Sequence, residues 1–333
     1  MMNAILEELK YIKKEDVFST IINLYNQKKS YEKFHRDIDW IELMNIFNKF
    51  CEQRNIDTMY MSKKNFSNLE KYGFDIDFED AYGRTLLFYL IHNSKDIKIQ
   101  FKVLDVLNKT KKLDKIDNYN QNILFYLMSN RHILEWEKID DFLNGKNLID
   151  FMEKHKELDI TIVSQNGNNL INQLFLGSGE YFNIYQYLKE HGASINHETK
   201  RKETLLHHLL LTRCNKDTKS IFWDLIPFND IEKQNQENET IIDRALNFLN
   251  KEEDIKNQSS KKWLDFIFQN IIDQKIHIKN DLELKQSCLN HKKWNLYSRN
   301  TQIAQKLLVF LEYNNLNKKI TPSSNIHQKI IKV

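Results

Sequence analysis

The chain has 333 residues, of which 41% are hydrophobic and 29% charged, as in an ordinary folded protein. It contains only 7 Gly and 2 Pro. Turn-rich sandwiches, barrels and glycine-loop nucleotide folds need many more of both, so a mostly helical fold is predicted. The net charge of +3 provides no general attraction to nucleic acid or membranes.

Targeting and redox signals are weak. The first residues, MMNAILEELKYIKK, lack the long apolar core of a signal peptide. Apolar runs such as LLFYLI are far shorter than the ~20 residues that span a bilayer. Three widely separated cysteines argue against a disulfide framework. We therefore predict a cytoplasmic protein without a membrane partner, with export by a specialised secretion system left open.

Residues 1–61 are predicted to form two or three helices. Leu6, Leu9 and Ile12, and later the apolar residues between 41 and 50, recur at helical spacing. Trp40 and Phe50 are expected in the core. This segment is predicted to cap the repeats that follow, and a separate recognition domain is the alternative.

Five segments of similar pattern follow, starting 37, 47, 35 and 36 residues apart. In each segment the sixth residue is Thr or Asn, the eighth Leu or Ile, and the eleventh Leu or Ala. This repetition predicts one helix pair copied five times. The segments are DAYGRTLLFYLI from Asp80, DNYNQNILFYLM from Asp117, SQNGNNLINQLF from Ser164, TKRKETLLHHLL from Thr199 and NQENETIIDRAL from Asn235.

A second phrase precedes two of these segments at the same offset. It reads NLEKYGFDIDFED from Asn68 and YLKEHGASINHET from Tyr187. Gly73 and Gly192 are expected just past the end of a helix, where glycine is favoured. Turn residues such as Gly83 and Asn120 lead into the next helix, whose N-cap is the Thr or Asn at the sixth position.

The phrase TLLHHL from Thr204 resembles the ankyrin phrase T-P-L-H-x-A, and YLKEHGASIN resembles the end of an ankyrin repeat. The resemblance covers residues 62–275. It implies an all-α, ankyrin-type α-solenoid of five to six helix pairs, with a helical N-terminal cap at 1–61 and a C-terminal helical cap and basic tail at 276–333. The 47-residue spacing implies an insertion around 137–156. Each repeat lacks the family's proline and has instead Leu86, Ile123, Leu170, Leu205 or Ile241.

Two histidines and a cysteine near the centre could suggest a metal or nucleophile site. The resemblance assigns His207 a structural role, tying one turn to the next by hydrogen bonds. His208 is expected to point outward, and Cys214 to lie at or past the end of the helix. No metal-ligand spacing, P-loop or nucleophile elbow occurs. We therefore predict no cofactor, no metal and no catalytic residue, with an enzyme of an unrecognised class as the remaining alternative.

The resemblance also implies that a groove formed by turns and inner helices binds a partner protein. Tyr82 and Tyr119 are expected to lie exposed near each other and to act as hot spots, or else to pack only across the adjacent turn. The predicted partner-binding residues are Tyr82, Arg84, His92, Asn118, Tyr119, Gln121, Asn130, Lys200, Arg201, Glu203, Gln236, Glu237 and Glu239.

The C-terminal part is predicted to hold two more helices, one from Trp263 and one from Thr301, which can cap its own helix. From Leu284 onward nine basic residues face one acidic residue, Glu312. Pro322 and paired serines predict an irregular, solvated tail after the last helix. Contact of this tail with an acidic partner is the alternative, and a nucleic-acid partner is disfavoured because dense aromatic residues are missing.

The composition is rich in Asn, Ile and Lys, which indicates an AT-rich genome, and we expect a bacterial source. Bacterial ankyrin-like proteins are often immunity proteins that neutralise a toxin, or effectors that bind a host protein. The expected function is therefore a non-enzymatic scaffold, monomeric when free, that binds a cognate toxin. A translocated effector or adaptor that binds a host protein is the alternative.

Overall fold

The computed structural model describes residues 2–29, 40–53, 72–92, 106–107, 109–129, 145–177, 182–249, 255–299 and 301–320. Within these ranges the regular structure is helical, and β pairing is limited to two isolated bridges, Ile116 with Asn122 and Glu198 with Thr204. The fold class over the described residues is all-α, as predicted. None of the helices there has an apolar stretch long enough to cross a lipid bilayer.

The chain divides into two compact units, unit 1 (Met1–Ser194) and unit 2 (Ile195–Val333). Short 3₁₀ helices occur at Lys14–Asp16 and Ile226–Phe228. In unit 1 the α-helices are α1 Met2–Leu9, α2 Val17–Lys29, α3 Trp40–Gln53, α4 Leu86–His92, α5 Ile123–Ser129, α6 Gly145–Lys154, α7 Leu170–Gly177 and α8 Phe182–Glu190. In unit 2 they are α9 Leu205–Leu209, α10 Lys216–Leu225, α11 Ile241–Asn247, α12 Ile255–Ile272, α13 Asp281–Asn290, α14 Trp294–Ser298 and α15 Gln302–Ile320.

One five-residue turn occurs five times, at 80–84, 117–121, 164–168, 199–203 and 235–239, and we call these turns 1 to 5. In every turn the first amide donates to the fifth carbonyl and the fourth amide donates to the first carbonyl. The side-chain oxygen of the first residue accepts a hydrogen bond from the backbone amide of the fifth residue, at 2.8 to 3.2 Å. The five turns thus share a hydrogen-bond pattern although their residues differ.

The fourth residue of each turn has a positive φ, which side chains other than glycine adopt at a cost. Gly83 and Gly167 adopt it without strain, and Asn120 and Asn238 tolerate it. Lys202 has a φ of 58° and no such tolerance. The sequence signal for the turn is therefore clear in the first, second, third and fifth repeats and hidden in the fourth.

Each turn leads directly into a helix at the seventh position of its repeat: α4, α5, α7, α9 and α11. The predicted caps are present where Asn122 Oδ1 accepts the Leu124 amide at 3.1 Å and Thr240 Oγ1 accepts the Asp243 amide at 3.2 Å. In the last three repeats, the side chain of the ninth residue accepts a hydrogen bond from the backbone amide of the sixth residue. The acceptors are Asn172 Oδ1, His207 Nδ1 and Asp243 Oδ2, at 3.0, 3.2 and 3.0 Å.

The helices that follow the turns pack side by side within each unit. In unit 1, α4 contacts α5 and α5 contacts α7, and in unit 2, α9 contacts α11. Their apolar residues at the seventh, eighth and eleventh positions are all buried. Such burial removes apolar surface that a single helix pair would leave in water. A second row of helices lies against the first: α8 contacts α7 and α6, α10 contacts α9, and α12 contacts α11.

The end of α8 has the predicted glycine. Gly192 has a φ of 99°, its amide donates to the Lys189 carbonyl at 3.2 Å, and the Ala193 amide reaches the Leu188 carbonyl at 2.9 Å. This is the pattern of a helix C-cap. Gly73 also has a positive φ, of 72°. The start of the phrase that contains Gly73, from Asn68 to Lys71, lies outside the described residues.

The first three helices lie against the first repeat, with α1 contacting α2 and α3, and α3 contacting α4. Phe18, Trp40 and Phe78 form a cluster with ring centroids 5.5 to 6.0 Å apart. Trp40 Nε1 donates to the Arg84 carbonyl at 2.8 Å, so this cluster holds turn 1 directly. Trp40 and Phe50 are both buried, as expected from the sequence.

The last helices of unit 2 differ in part from expectation. Helix α15 starts as predicted, with Thr301 Oγ1 accepting the Ile303 amide at 3.3 Å, and packs on α12, α13 and α14. It continues to Ile320, into the segment from Leu316 onward that was predicted to be an irregular tail. Residues 321–333 lie outside the described residues.

The stretch predicted as an insertion, 137–156, also includes α6, which packs against α8.

Candidate partner-binding surface

Tyr82 and Tyr119 occupy the third position of turns 1 and 2. Their rings are nearly parallel, 13° apart in plane, with centroids at 6.4 Å. The side chains remain 37% and 47% exposed. The Arg84 guanidinium lies 4.5 Å from the Tyr82 centroid, a cation–π contact. The two tyrosines therefore pack across the turns and still present an aromatic surface to solvent.

Hydrogen bonds between successive turns fix the backbone beneath this surface. The Asn118 amide donates to the Tyr82 carbonyl at 2.8 Å, and the Gln165 amide donates to the Tyr119 carbonyl at 2.7 Å. In unit 2 the Gln236 amide donates to the Arg201 carbonyl at 2.8 Å. In these three pairs of turns, the second residue binds the third residue of the preceding turn, and this bond holds the backbone that carries the third side chain.

The second residues also use their side chains to join turns. Asn118 Nδ2 donates to the Ala81 carbonyl at 2.7 Å, and Gln236 Nε2 donates to the Lys200 carbonyl at 2.7 Å. Gln165 Nε2 makes the same bond to the Asn118 carbonyl. Both Asn118 and Gln236 were predicted to contact the partner. Their amide nitrogens are committed to the scaffold, so only the remaining exposed atoms are available to a partner.

The other predicted residues of unit 1 lie around the tyrosines or at the helix end. Arg84 Nη2 binds Asp80 Oδ2 at 2.7 Å, which orients its guanidinium under Tyr82. Gln121 is half-buried at the end of turn 2. His92 is exposed at the last residue of α4. Asn130 lies outside the described residues.

The predicted residues of unit 2 are mixed in exposure. Lys200, Arg201 and Glu237 are exposed on turns 4 and 5. Glu239 is half-buried, and its Oε1 accepts a hydrogen bond from Asn247 Nδ2 at 2.5 Å. Turns 4 and 5 therefore present charged side chains, whereas turns 1 and 2 present aromatic ones.

Glu203 was predicted to lie on the partner-binding surface, and this prediction is wrong because the residue is buried. Its Oε2 lies 2.9 Å from His208 Nε2, and its Oε1 is paired with Arg244 Nη1. The hydrogen bond from His208, together with Arg244, lowers the pKa of Glu203 to about 2 despite its burial. A carboxylate paired this way joins turn 4 to α9 and α11 and is not accessible to a partner.

His208 is buried as well, contrary to the expectation that it points outward. His207 is fully buried in its predicted role. Because the Thr204 amide donates to His207 Nδ1, the ring proton resides on Nε2, which lies 3.3 Å from the Glu239 carbonyl of turn 5. Burial lowers the pKa of His207 to about 4, so the imidazole is neutral at pH 7.

Sequence reasoning missed the role of the tenth position of the repeat. Tyr126 OH donates to Asp117 Oδ2 at 2.7 Å, and His208 and Arg244 bind Glu203. The tenth side chain therefore faces a turn in three repeats. Comparing the tenth residues with the acidic residues of the turns would have indicated these pairs.

The thiols near this region are not activated. Burial raises the pKa of Cys214 to about 11 and that of Cys288 to about 12. Both are protonated at neutral pH, whereas a nucleophilic cysteine needs a thiolate. Cys214 lies past the end of α9, as expected. Over the described ranges, no three His, Cys, Asp or Glu side chains are grouped to hold a metal ion.

Comparison with known proteins assigns no family. A scan against models of protein families found no match, and a search of curated proteins found no relative of significant similarity.

Proposed function

We propose that this chain is an ankyrin-type solenoid that binds another protein, with Tyr82 and Tyr119 at the centre of the binding surface. Support for the repeat type comes from the five turns, which share one hydrogen-bond pattern and one position of positive φ. Each turn leads into a buried helix that begins at the same repeat position. Buried apolar residues such as Leu86 and Leu205 stand where the ankyrin phrase has proline.

The observation that carries the binding proposal is the stacked, half-exposed tyrosine pair. Tyrosine offers a large contact area and an OH group, and it loses little conformational entropy when it binds. Because hydrogen bonds between turns already fix the backbone at Tyr82 and Tyr119, binding orders few additional groups. This combination is typical of hot spots in protein interfaces.

The proposed partner is a toxin that the chain neutralises as an immunity protein. The support is the AT-rich composition together with the resemblance to ankyrin-like proteins of bacteria. Co-expression with the product of the neighbouring gene tests it. Rescue of growth from a toxic neighbour supports the immunity function, and a neighbour without toxicity favours an effector or adaptor that binds a host protein.

A double substitution tests the surface itself. Tyr82→Ala combined with Tyr119→Ala is expected to weaken binding of the neighbour's protein at least ~10-fold, since two central aromatic contacts are lost. Helicity and melting temperature should change little because both side chains are partly exposed. Affinity is measured by calorimetry. Tyr11→Ala is the matched control, as Tyr11 is 91% exposed and lies outside the turns. Unchanged affinity in the double variant would exclude this surface.

A further inference from the structure

Turn 4 presents three consecutive basic side chains to solvent. Lys200, Arg201 and Lys202 are all exposed, at the second, third and fourth positions of the turn. The other four turns have no basic residue at these positions, where they read AYG, NYN, QNG and QEN. A positive charge at the tip of the turn is therefore specific to turn 4.

The acidic residues next to turn 4 do not neutralise this charge. Glu203, the fifth residue of the turn, is buried and paired with His208 and Arg244. Glu198, just before the turn, is paired with Lys233. Both carboxylates are thus engaged with other side chains, and three positive charges remain on the exposed part of turn 4.

Lys202 occupies a backbone conformation that lysine does not favour. Its φ is 58°, whereas the fourth residue of the other turns is Gly or Asn, which tolerate a positive φ. Strain that another residue would relieve is often retained where the side chain has a function. Since Lys202 is exposed, its charge is the property that distinguishes it from the asparagine of turns 2 and 5.

Hydrogen bonds fix the backbone that carries these side chains. Thr199 Oγ1 accepts hydrogen bonds from the amides of Arg201 and Glu203, both at 3.2 Å. From turn 5, the Gln236 amide donates to the Arg201 carbonyl at 2.8 Å, and Gln236 Nε2 donates to the Lys200 carbonyl at 2.7 Å. Binding here therefore orders side chains but not the backbone, which lowers its entropy cost.

We propose that turn 4 binds an acidic segment of the partner protein, with Lys200, Arg201 and Lys202 pairing with its Asp or Glu side chains. This inference rests on the proposed function, because it names the chemistry that the partner presents to turn 4. Carboxylates fit because lysine and arginine form charge-assisted hydrogen bonds with them. The pairs are exposed, so they contribute mainly to association rate and specificity.

The neighbouring turn favours a protein over a nucleic acid or a lipid surface. Glu237 is exposed at the third position of turn 5, and Gln236 holds turn 5 against Arg201. A carboxylate beside the three cations repels a continuous row of phosphates, which needs an extended basic surface. A folded partner can instead place an acidic cluster against turn 4 and a basic residue against Glu237.

A fluorescent peptide of alternating Glu and Asp tests the proposal without the natural partner. Fluorescence anisotropy at low salt is expected to show binding of this peptide to the full chain, and no binding of a peptide of Gln and Asn of the same length. Lys200→Gln, Arg201→Gln and Lys202→Gln combined should weaken binding at least ~10-fold, because three exposed ion pairs are lost. Added salt should weaken binding of the unmodified chain as well.

The matched control is Lys216→Gln, Lys262→Gln and Lys292→Gln combined. These three lysines are exposed and lie outside the turns, so the control changes the net charge by the same amount. Its affinity for the acidic peptide should stay within ~2-fold of that of the unmodified chain, because charges beyond a Debye length are screened.

Lys202→Asn separates the charge of Lys202 from its backbone strain. The variant has at this position the residue of turns 2 and 5, so it should unfold at a higher urea concentration. It should also bind the acidic peptide at least ~2-fold more weakly, because one ion pair is lost. A gain of stability with unchanged affinity would overturn the assignment of Lys202 to the binding surface.

Two further results would overturn the proposal. The first is equal affinity of the unmodified chain and the triple variant of turn 4, or equal binding of the acidic and neutral peptides. The second is tighter binding of a single-stranded oligonucleotide or of phosphatidylserine vesicles than of the acidic peptide, lost in the same triple variant. That result would assign turn 4 to phosphates.

The protein encoded by the neighbouring gene separates failure of this inference from failure of the proposed function. If Tyr82→Ala with Tyr119→Ala weakens binding of that protein and the triple variant of turn 4 does not, the inference fails and the proposed function stands. If that protein does not bind at all, the proposed function fails, and binding of the acidic peptide still decides the role of turn 4.

Discussion

The free energy of unfolding should depend on pH because His207 titrates, and a single substitution of His207 should remove this dependence. Burial lowers the pKa of His207 from 6.5 to about 4 in the folded chain, while the unfolded chain retains the ordinary value. The unfolded state therefore binds a proton more tightly than the folded state. The contribution is fully present above about pH 6.5 and is lost as the pH falls toward 4.

The magnitude follows from the shift. Each unit of pKa difference corresponds to ~1.4 kcal/mol. Titration of His207 is therefore expected to lower the free energy of unfolding by roughly 2 kcal/mol when the pH falls from about 7.5 to about 5. Glu203 should contribute little in this range. The pKa of its carboxyl is lowered to about 2, so the stability that its ionised form provides is lost only as the pH falls from 4.5 toward 2.

His207→Asn is the appropriate variant, because Asn172 already makes the same return bond to the sixth amide at the equivalent position of another repeat. The variant keeps the helix cap and loses the bond to the Glu239 carbonyl and the titratable ring. Urea unfolding followed by circular dichroism at both pH values gives the comparison. The loss of stability on acidification should be ~2 kcal/mol smaller in the variant. Equal losses in both proteins would refute the assignment of the pH dependence to His207.

Three further substitutions test the turns. Lys202→Gly should stabilise the protein by up to ~1 kcal/mol because it relieves a positive φ, whereas Gly83→Ala should destabilise it by ~1–2 kcal/mol, both measured by urea unfolding. The new Cβ at Gly83 would also lie 3.1 Å from Asn118 Oδ1, and the same sign of change for both variants would contradict the shared turn geometry. Trp40→Phe removes the donor to the Arg84 carbonyl and should cost ~1 kcal/mol in thermal unfolding, and a cost near zero would argue against this bond as the link to turn 1.

The backbone of the repeats could be predicted from the sequence because its signals are local. A Thr or Asn at the sixth position, an apolar residue at the eighth and a turn residue at the fourth each act within a few residues of themselves. All five helices accordingly begin where the pattern places them. The proximity and exposure of Tyr82 and Tyr119 also followed, since equivalent positions of neighbouring turns must lie near each other.

The buried charges were missed because the pattern was analysed one repeat at a time, whereas one partner of Glu203 comes from the next repeat. Nothing in the neighbouring residues shows that Glu203 meets both His208 of its own repeat and Arg244 of the next. A charged residue in a turn is exposed by default, and only the pairing across repeats makes its burial favourable. Lys202 was hidden for the opposite reason, since the surrounding hydrogen bonds impose a conformation that lysine itself does not favour.

The bonds between successive turns also determine where the chain can change in length. Adding one residue inside a turn would shift its second amide away from the preceding carbonyl and displace the cap of the helix that follows. All five turns accordingly have the same number of residues, although their starts are 35 to 47 residues apart. The extra length of the longest interval lies after α5, which ends at Ser129, and before turn 3, which begins at Ser164. Insertions, tags and grafted loops should therefore be tolerated there and rejected inside the turns.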